Sequence, residues 1–260
     1  MVEAVYPPEP RTDDPHASVR AIELTRLRAR LESPDQGGTV LLRGPRGVGK
    51  EHLASELVTV ARTLQRTAVF EGRTPPAGGR SFHPFAELVR QAMTWAEQAR
   101  LSDLLVDPLL SDLGPVLDAD AADASPAPSL DQKLRFFEAV RRLLTGVSER
   151  ARMLAVVHDL ERADGDTLEL AGYLADNLFA DPALEPGSGR PGMLLLVVRD
   201  DRSTTPRVRD FLADLDERRT VETLRLSGLD LDGVRLYLQS PRVLEKVLAA
   251  SEGIPREIDE

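Results

Sequence analysis

Residues 44–50 read Gly-Pro-Arg-Gly-Val-Gly-Lys and follow the apolar run Thr39-Val40-Leu41-Leu42 after a single arginine, Arg43. That order predicts a buried strand, a tight glycine loop and then a helix beginning near Glu51. Glycines at this spacing let the main chain curl around an anion and aim successive N–H groups inward, and the helix adds its positive end. Lys50 would reach the outer phosphates of a nucleotide. The candidate phosphate site is therefore Gly44, Pro45, Arg46, Gly47, Val48, Gly49, Lys50, Glu51 and His52. The plain alternative is a glycine-rich turn with no ligand. Composition weighs against it: of 33 basic residues only Lys50, Lys133 and Lys246 are lysines. A chain that otherwise uses arginine keeps the compact ammonium where a planar guanidinium would not fit between phosphates. The position after Lys50, where such loops carry Ser or Thr, holds Glu51.

The rest of the composition narrows the function. At 260 residues and 42% hydrophobic content, the chain can build one large α/β domain with a small appendage. Without cysteine it has no disulfide framework and no thiolate chemistry, which makes the cytoplasm the default expectation. No apolar run is long enough to span a bilayer, so no membrane role is expected. A formal net charge of −10 works against an extended nucleic-acid surface, because backbone contacts need clustered lysine and arginine.

Along the chain, the Pro-rich, charged first residues read as an arm. Helical periodicity starts near Val19, with Ile22, Leu24, Leu27 and Leu31 on its apolar side. Leu53, Leu57, Val58 and Ala61 mark the helix after the loop, Thr67 to Glu71 a second strand, and Gly72 to Gly79 a loop. Phe85 to Arg100 and part of Leu101 to Leu117 read as helix, with Phe85, Met93 and Trp95 as core. Asp118 to Pro128 reads as mobile. Ser129 and Gln132 predict a capping box for a helix carrying Leu134, Phe137, Val140 and Leu144. Met153 to Val157, Met193 to Val198 and Val221 to Leu226 supply three more strands, the first two apolar enough to be covered on both faces. His52 and His83 lack metal-ligand spacing. Asp210, Asp214, Asp216 and Glu217 read as a solvated helical face.

Chemistry is expected where the third and fourth strands end. The third is followed by His158-Asp159-Leu160-Glu161-Arg162-Ala163-Asp164. In phosphate-loop enzymes an acid here holds a metal or orients the attacking water, which makes Asp159 the leading candidate. Asp164 is expected to cap the next helix. The fourth strand ends in Arg199-Asp200-Asp201, and an arginine at the carboxyl end of a parallel strand stands where ligands bind. Arg199 either senses the terminal phosphate or pairs with Asp200, Asp201 or Asp159.

From about Ser18 to Arg256 these landmarks resemble the nucleotide-binding domain of the STAND class of AAA-plus-related signal-transduction ATPases, close to origin-recognition-type ATPases. Arg20 and Glu23 are similar to part of the family's Gly-Arg-Glu-x-Glu box, with Val19 and Ala21 replacing two of its members. Gly44 to Lys50 matches its phosphate loop, and Val156 to Asp164 resembles its apolar strand followed by Asp-Asp-Leu-His-Trp-Ala-Asp. Arg199 matches the arginine after the fourth strand. Gly253-Ile254-Pro255 resembles the Gly-x-Pro motif whose proline approaches adenine. The resemblance implies a three-layer α/β phosphate-loop fold with a five-stranded, mainly parallel sheet in the order 5-1-4-3-2. Its implied organisation is an arm over residues 1–17, a nucleotide-binding domain over 18–229 with a helical insert near 84–128, and the start of a truncated helical lid over 230–260.

The departures concern the metal. In this alignment His158 stands at the first, metal-holding acid and Glu51 at the hydroxyl that binds magnesium, leaving Asp159 as the catalytic acid. A strand register shifted by one would instead make Asp159 a metal ligand beside Glu51, and both alignments stay open. The resemblance implies ATP or ADP as cofactor, with magnesium in question, and an ATP-binding switch module of a multidomain regulator with slow or impaired hydrolysis. Its partners would be nucleotide, protein domains of the same or other chains, and other copies of itself. A non-hydrolysing scaffold and a DNA-associated origin-recognition-type ATPase are the alternatives.

Overall fold

The computed structural model describes residues 19–33, 37–76, 81–106, 108–113, 129–179 and 190–230, with Val234, Ser251, Ile254 and Pro255. The expected arm, the Asp118 to Pro128 segment and nearly all of the expected lid, Gly253 included, lie outside the described residues.

Five strands form one sheet: β1 (Gly38–Gly44), β2 (Thr67–Arg73), β3 (Arg152–His158), β4 (Gly192–Arg199) and β5 (Val221–Arg225). Their order is β2-β3-β4-β1-β5 and every neighbouring pair runs parallel, the order the resemblance implied. Strands β1, β3 and β4 are central and almost wholly buried, so each reads as a continuous apolar run. The edge strands β2 and β5 carry more exposed, more polar residues. All five carboxyl ends lie on one side of the sheet, because every pair is parallel.

Successive side chains of the central strands enter opposite cores. Val40, Leu42, Leu154, Val156, Leu195 and Val197 face α1 (Ala21–Glu32) and α2 (Lys50–Thr63). Leu41, Ala155, Val157, Leu194 and Leu196 face α3 (His83–Gln98), α5 (Leu130–Ser148), α6 (Gly165–Asn177) and α7 (Pro206–Glu217). A short α4 (Ser102–Leu105) links α3 to the segment before α5. The fold is thus a three-layer phosphate-loop α/β architecture. Phe85 is fully buried in α3, with Met93 and Trp95 packed at the margin of the same core. The capping box at Ser129 and Gln132 is present, and the Asp164 side chain accepts from the Thr167 N–H at 2.9 Å to cap α6.

Four sequence expectations are corrected. Strand β2 runs two residues further than its apolar run, to Arg73, because parallel pairing with β3 continues to Arg73 opposite His158. Ile22 is 84% exposed, since Leu27 and Leu31 define the buried face of α1. Leu134 is 52% exposed on the solvent side of α5. Asp216 is no free surface charge: it pairs with the buried Arg43 of β1 at 2.6 Å.

Candidate functional site

The loop between β1 and α2 is shaped by its main chain. Gly47 and Gly49 have φ of 78° and 99°, the left-handed region that glycine enters without penalty. A Cβ at Gly49 would meet nothing within 4 Å, so that glycine is required by backbone conformation and the space beside it is open. Gly44 is required for another reason: a Cβ there would sit 2.4 Å from the Leu226 carbonyl oxygen. Val48 is fully buried and pins the loop into the α1–α2 core. Arg20, itself nearly buried, donates from Nη2 to the carbonyls of Val48 (3.1 Å) and Ser227 (2.6 Å), and from Nη1 to Glu23 (3.1 Å). Arg20 therefore ties the loop to the exit of β5, which gives a physical role to the weakest element of the resemblance.

Lys50 opens α2 and is buried. Its Nζ donates to the carbonyls of Gly44 (2.9 Å) and Pro45 (2.8 Å), folding the side chain back along the loop. Burial lowers its pKa, while Glu161, Glu51 and Asp201 pull the other way. Arg199 lies level with Gly44, its register partner across β1 and β4. Its backbone N–H donates to Glu161 Oε2 at 3.0 Å. Its Nε lies 3.5 Å from Asp201 Oδ2 and makes no hydrogen bond although buried. Asp201 is held anionic against its burial by Ser203, by Arg199 and by the Arg46 main-chain N–H of the loop.

Beside this cradle runs a chain of ion pairs. His158 Nδ1 lies 2.7 Å from Glu51 Oε2 and Nε2 lies 3.5 Å from Glu71 Oε2. Arg73 Nη2 donates to Glu51 Oε2 at 3.2 Å, and Nη1 pairs with Asp159 Oδ2. Burial opposes charge on His158, yet the carboxylates of Glu51 and Glu71 outweigh it and raise the imidazole to about 9. Burial alone would raise Glu51, but the bond and charge of His158, then Arg73, bring it below the usual carboxylate range. Asp159 has φ 56° and ψ 35°, a left-handed conformation that a short polar side chain tolerates better than most. That turn presents its carboxylate to Arg73.

The AAA ATPase domain family matches residues 19–185 of this chain. The chain belongs to the AAA ATPase domain family. No match was found among curated proteins. Among solved structures, Cdc6p from Pyrobaculum aerophilum is similar at 16% identity and TM-score 0.48, over 96% of this chain and 62% of that one. The ORC2 protein of Aeropyrum pernix, in ADPNP–ADP complexes, is similar at 15% identity and TM-score 0.48, over 99% and 63%. Drosophila ORC bound to DNA follows at 16% and 0.42, over 92% and 52%. The chain thus spans less than two thirds of each of these structures.

Against the needs of an AAA ATPase domain, the residues around the cradle do not fit magnesium. That ion takes oxygen ligands in a tight octahedron. Here Glu51 and Asp159, the two acids expected to hold it, are each engaged by Arg73, and Glu51 also by His158. Among the described residues, no group of three or more acids and histidines is arranged to hold a metal.

The AAA ATPase domain also contains site residues that sequence reasoning missed. Arg73 falls in the expected loop and Glu71 at the end of the expected strand, Glu161 carries no expected role, and Asp201 is the partner that Arg199 takes among the expected aspartates. The available signal is charge: His158 at a buried strand end requires a partner, Glu51 in the first turn of α2 supplies one, and parallel pairing of β2 with β3 brings Arg73 level with it. His52 points to Glu56 at 3.6 Å, one turn along α2, rather than to the loop. Pro255 is half-buried, and most of the expected lid around it lies outside the described residues.

Proposed function

We propose that this AAA ATPase domain is the ATP- or ADP-binding switch module of a multidomain regulator of the STAND type, with slow or impaired hydrolysis. The supporting observation is the main-chain cradle of Gly44 to Lys50. It has two left-handed glycines, an open space beside Gly49 and a buried ammonium, all at the carboxyl ends of parallel strands. Lys50 leaves its two carbonyls for the outer phosphates when nucleotide enters. Arg199, with an unsatisfied Nε level with Gly44, senses the terminal phosphate, and Pro255 approaches the base. Asp159 serves as the acid for water only if released by Arg73, which is why hydrolysis is slow. Nucleotide state then sets the angle between the sheet domain and the lid, read by further domains, partner proteins or neighbouring copies. Isothermal titration with ATP and ADP tests the proposal, and absence of binding at millimolar nucleotide ends it.

The ion-pair chain favours a second reading, a non-hydrolysing scaffold, since it engages both acids that hydrolysis would use. Single-turnover assays separate the two: measurable phosphate release from bound ATP excludes the scaffold. A DNA-associated role would need basic surface, which a net charge of −10 works against.

A further inference from the structure

The disagreement with magnesium has a direction. Glu51 occupies the first turn of α2, one residue after Lys50, so whatever binds Glu51 sits at the edge of the phosphate cradle. A divalent ion at that edge would bring positive charge beside the outer phosphates and would be held there by acids. The structure places an imidazole and a guanidinium on those same acids. His158 bonds Glu51 at 2.7 Å, Arg73 bonds Glu51 at 3.2 Å and also pairs with Asp159. The chain is continued on the far side, where Glu71 faces His158 at 3.5 Å and is itself paired to Arg62 at 2.9 Å. His158 is only 4% exposed and is fixed on a central strand, with Arg73 level with it on β2. To seat magnesium on Glu51 and Asp159, both side chains would have to leave carboxylates they already occupy. Stripping an almost buried side chain of its partner is costly.

We infer that His158 and Arg73, clamped on Glu51 and Asp159, replace the divalent cation, so that the cradle takes nucleotide without magnesium. The substitutions at Glu51 and His158 then form one device: an acid brought to the first turn of α2 and a base brought to the end of β3, each the other's partner. This inference rests on the nucleotide reading, deepening it by specifying the cofactor requirement.

Two measurements on the wild-type chain test it. In the first, ATP is titrated in magnesium buffer and in EDTA, and affinity should differ by less than about twofold. Binding about tenfold or more tighter with magnesium, about 1.4 kcal/mol, overturns the inference alone. Failure to bind ATP in either buffer overturns it together with the nucleotide reading beneath it. In the second, Mn2+ is titrated into nucleotide-free protein and followed by electron paramagnetic resonance. The wild type should leave the free-ion signal unchanged, and stoichiometric loss of that signal overturns the inference whether or not nucleotide binds. The double variant Glu51→Thr/His158→Asp opens the ion-pair chain, and ATP binding by that variant should become magnesium-dependent. A folded double variant that stays indifferent to magnesium counts against the device.

Discussion

The two halves of the site are built from different material. The cradle between β1 and α2 is mainly backbone: two left-handed glycines and the two carbonyls that hold Lys50. The neighbouring edge between β2 and β3 is entirely side chain: Glu71, His158, Glu51, Arg73 and Asp159 joined end to end. A main-chain device is kept or lost as a whole, since its geometry depends on glycines and on the helix start. A side-chain device can be rebuilt one charge at a time, provided each new charge finds a partner. That difference explains how the chain retains a complete phosphate loop beside an edge where the expected metal ligands are ion-paired.

The sharpest way to break this contrast is to remove the one side chain on which the cradle depends. Lys50→Ala should weaken ADP and ATP binding by about tenfold or more, at least about 1.4 kcal/mol by titration calorimetry. Lys50→Arg should fail to restore it, because a planar guanidinium does not take the place of a point-like ammonium. Wild-type affinity in Lys50→Ala would mean that the loop does not grip phosphate at all.

Next in size is the side-chain edge. His158→Ala leaves Glu51 and Glu71 without their shared cation. Both carboxylates are partly exposed, which screens the loss, so the expected destabilisation is about 2 kcal/mol by chemical denaturation. The effect has a pH signature of fixed sign. The imidazole is raised from an ordinary 6.5 to about 9. Its contribution is therefore full below pH 6.5 and is lost as pH rises through about 9. Stability curves of the wild type and His158→Ala should be furthest apart at pH 6 and converge towards pH 9. A gap that stays constant or widens over that interval would show that His158 is not held as a cation.

The same division decides what was legible in the sequence. The loop and the strand order could be read because glycine spacing and continuous apolar runs are local signals, and the family resemblance ordered them. The ion-pair chain could not. Glu51 and His158 are 107 residues apart and Arg73 lies beyond the apolar run that marked β2. Parallel register sets Arg73 level with His158, and the first turn of α2 brings Glu51 to both. The twin acids after β4 make the point again. Asp200 and Asp201 are indistinguishable as sequence, yet Asp200 goes to the buried Arg43 at 2.6 Å and Asp201 to Arg199 and the loop. The resemblance likewise flagged Arg20 without a reason, which emerges only when its guanidinium is seen to bridge Val48 and Ser227.

Arg20 offers a third test, on the support of the cradle rather than its grip. Arg20→Ala removes charge-assisted bonds to two carbonyls and should cost about 2 kcal/mol in stability. Amide hydrogen exchange should rise in residues 46–49 while the β2–β3 edge is unaffected. Equal loosening of both regions would show that cradle and edge are one cooperative unit, against the contrast drawn above.

The smallest expected effect isolates the backbone itself. At Gly49 an added Cβ meets nothing within 4 Å, so Gly49→Ala carries no steric collision and only the penalty of φ 99°. That penalty is about 1 kcal/mol, set by the chirality of an L-residue in a left-handed conformation. If conformation alone is what glycine supplies, Gly49→Ala should lower the denaturation midpoint slightly and weaken nucleotide binding less than Lys50→Ala does. Gly44→Ala, whose Cβ would lie 2.4 Å from the Leu226 carbonyl oxygen, should be the more destabilising of the two substitutions. A reversed order, with Gly49→Ala the more damaging to the fold, would mean that the space beside Gly49 is filled by protein in solution, and the cradle would then have no room for phosphate.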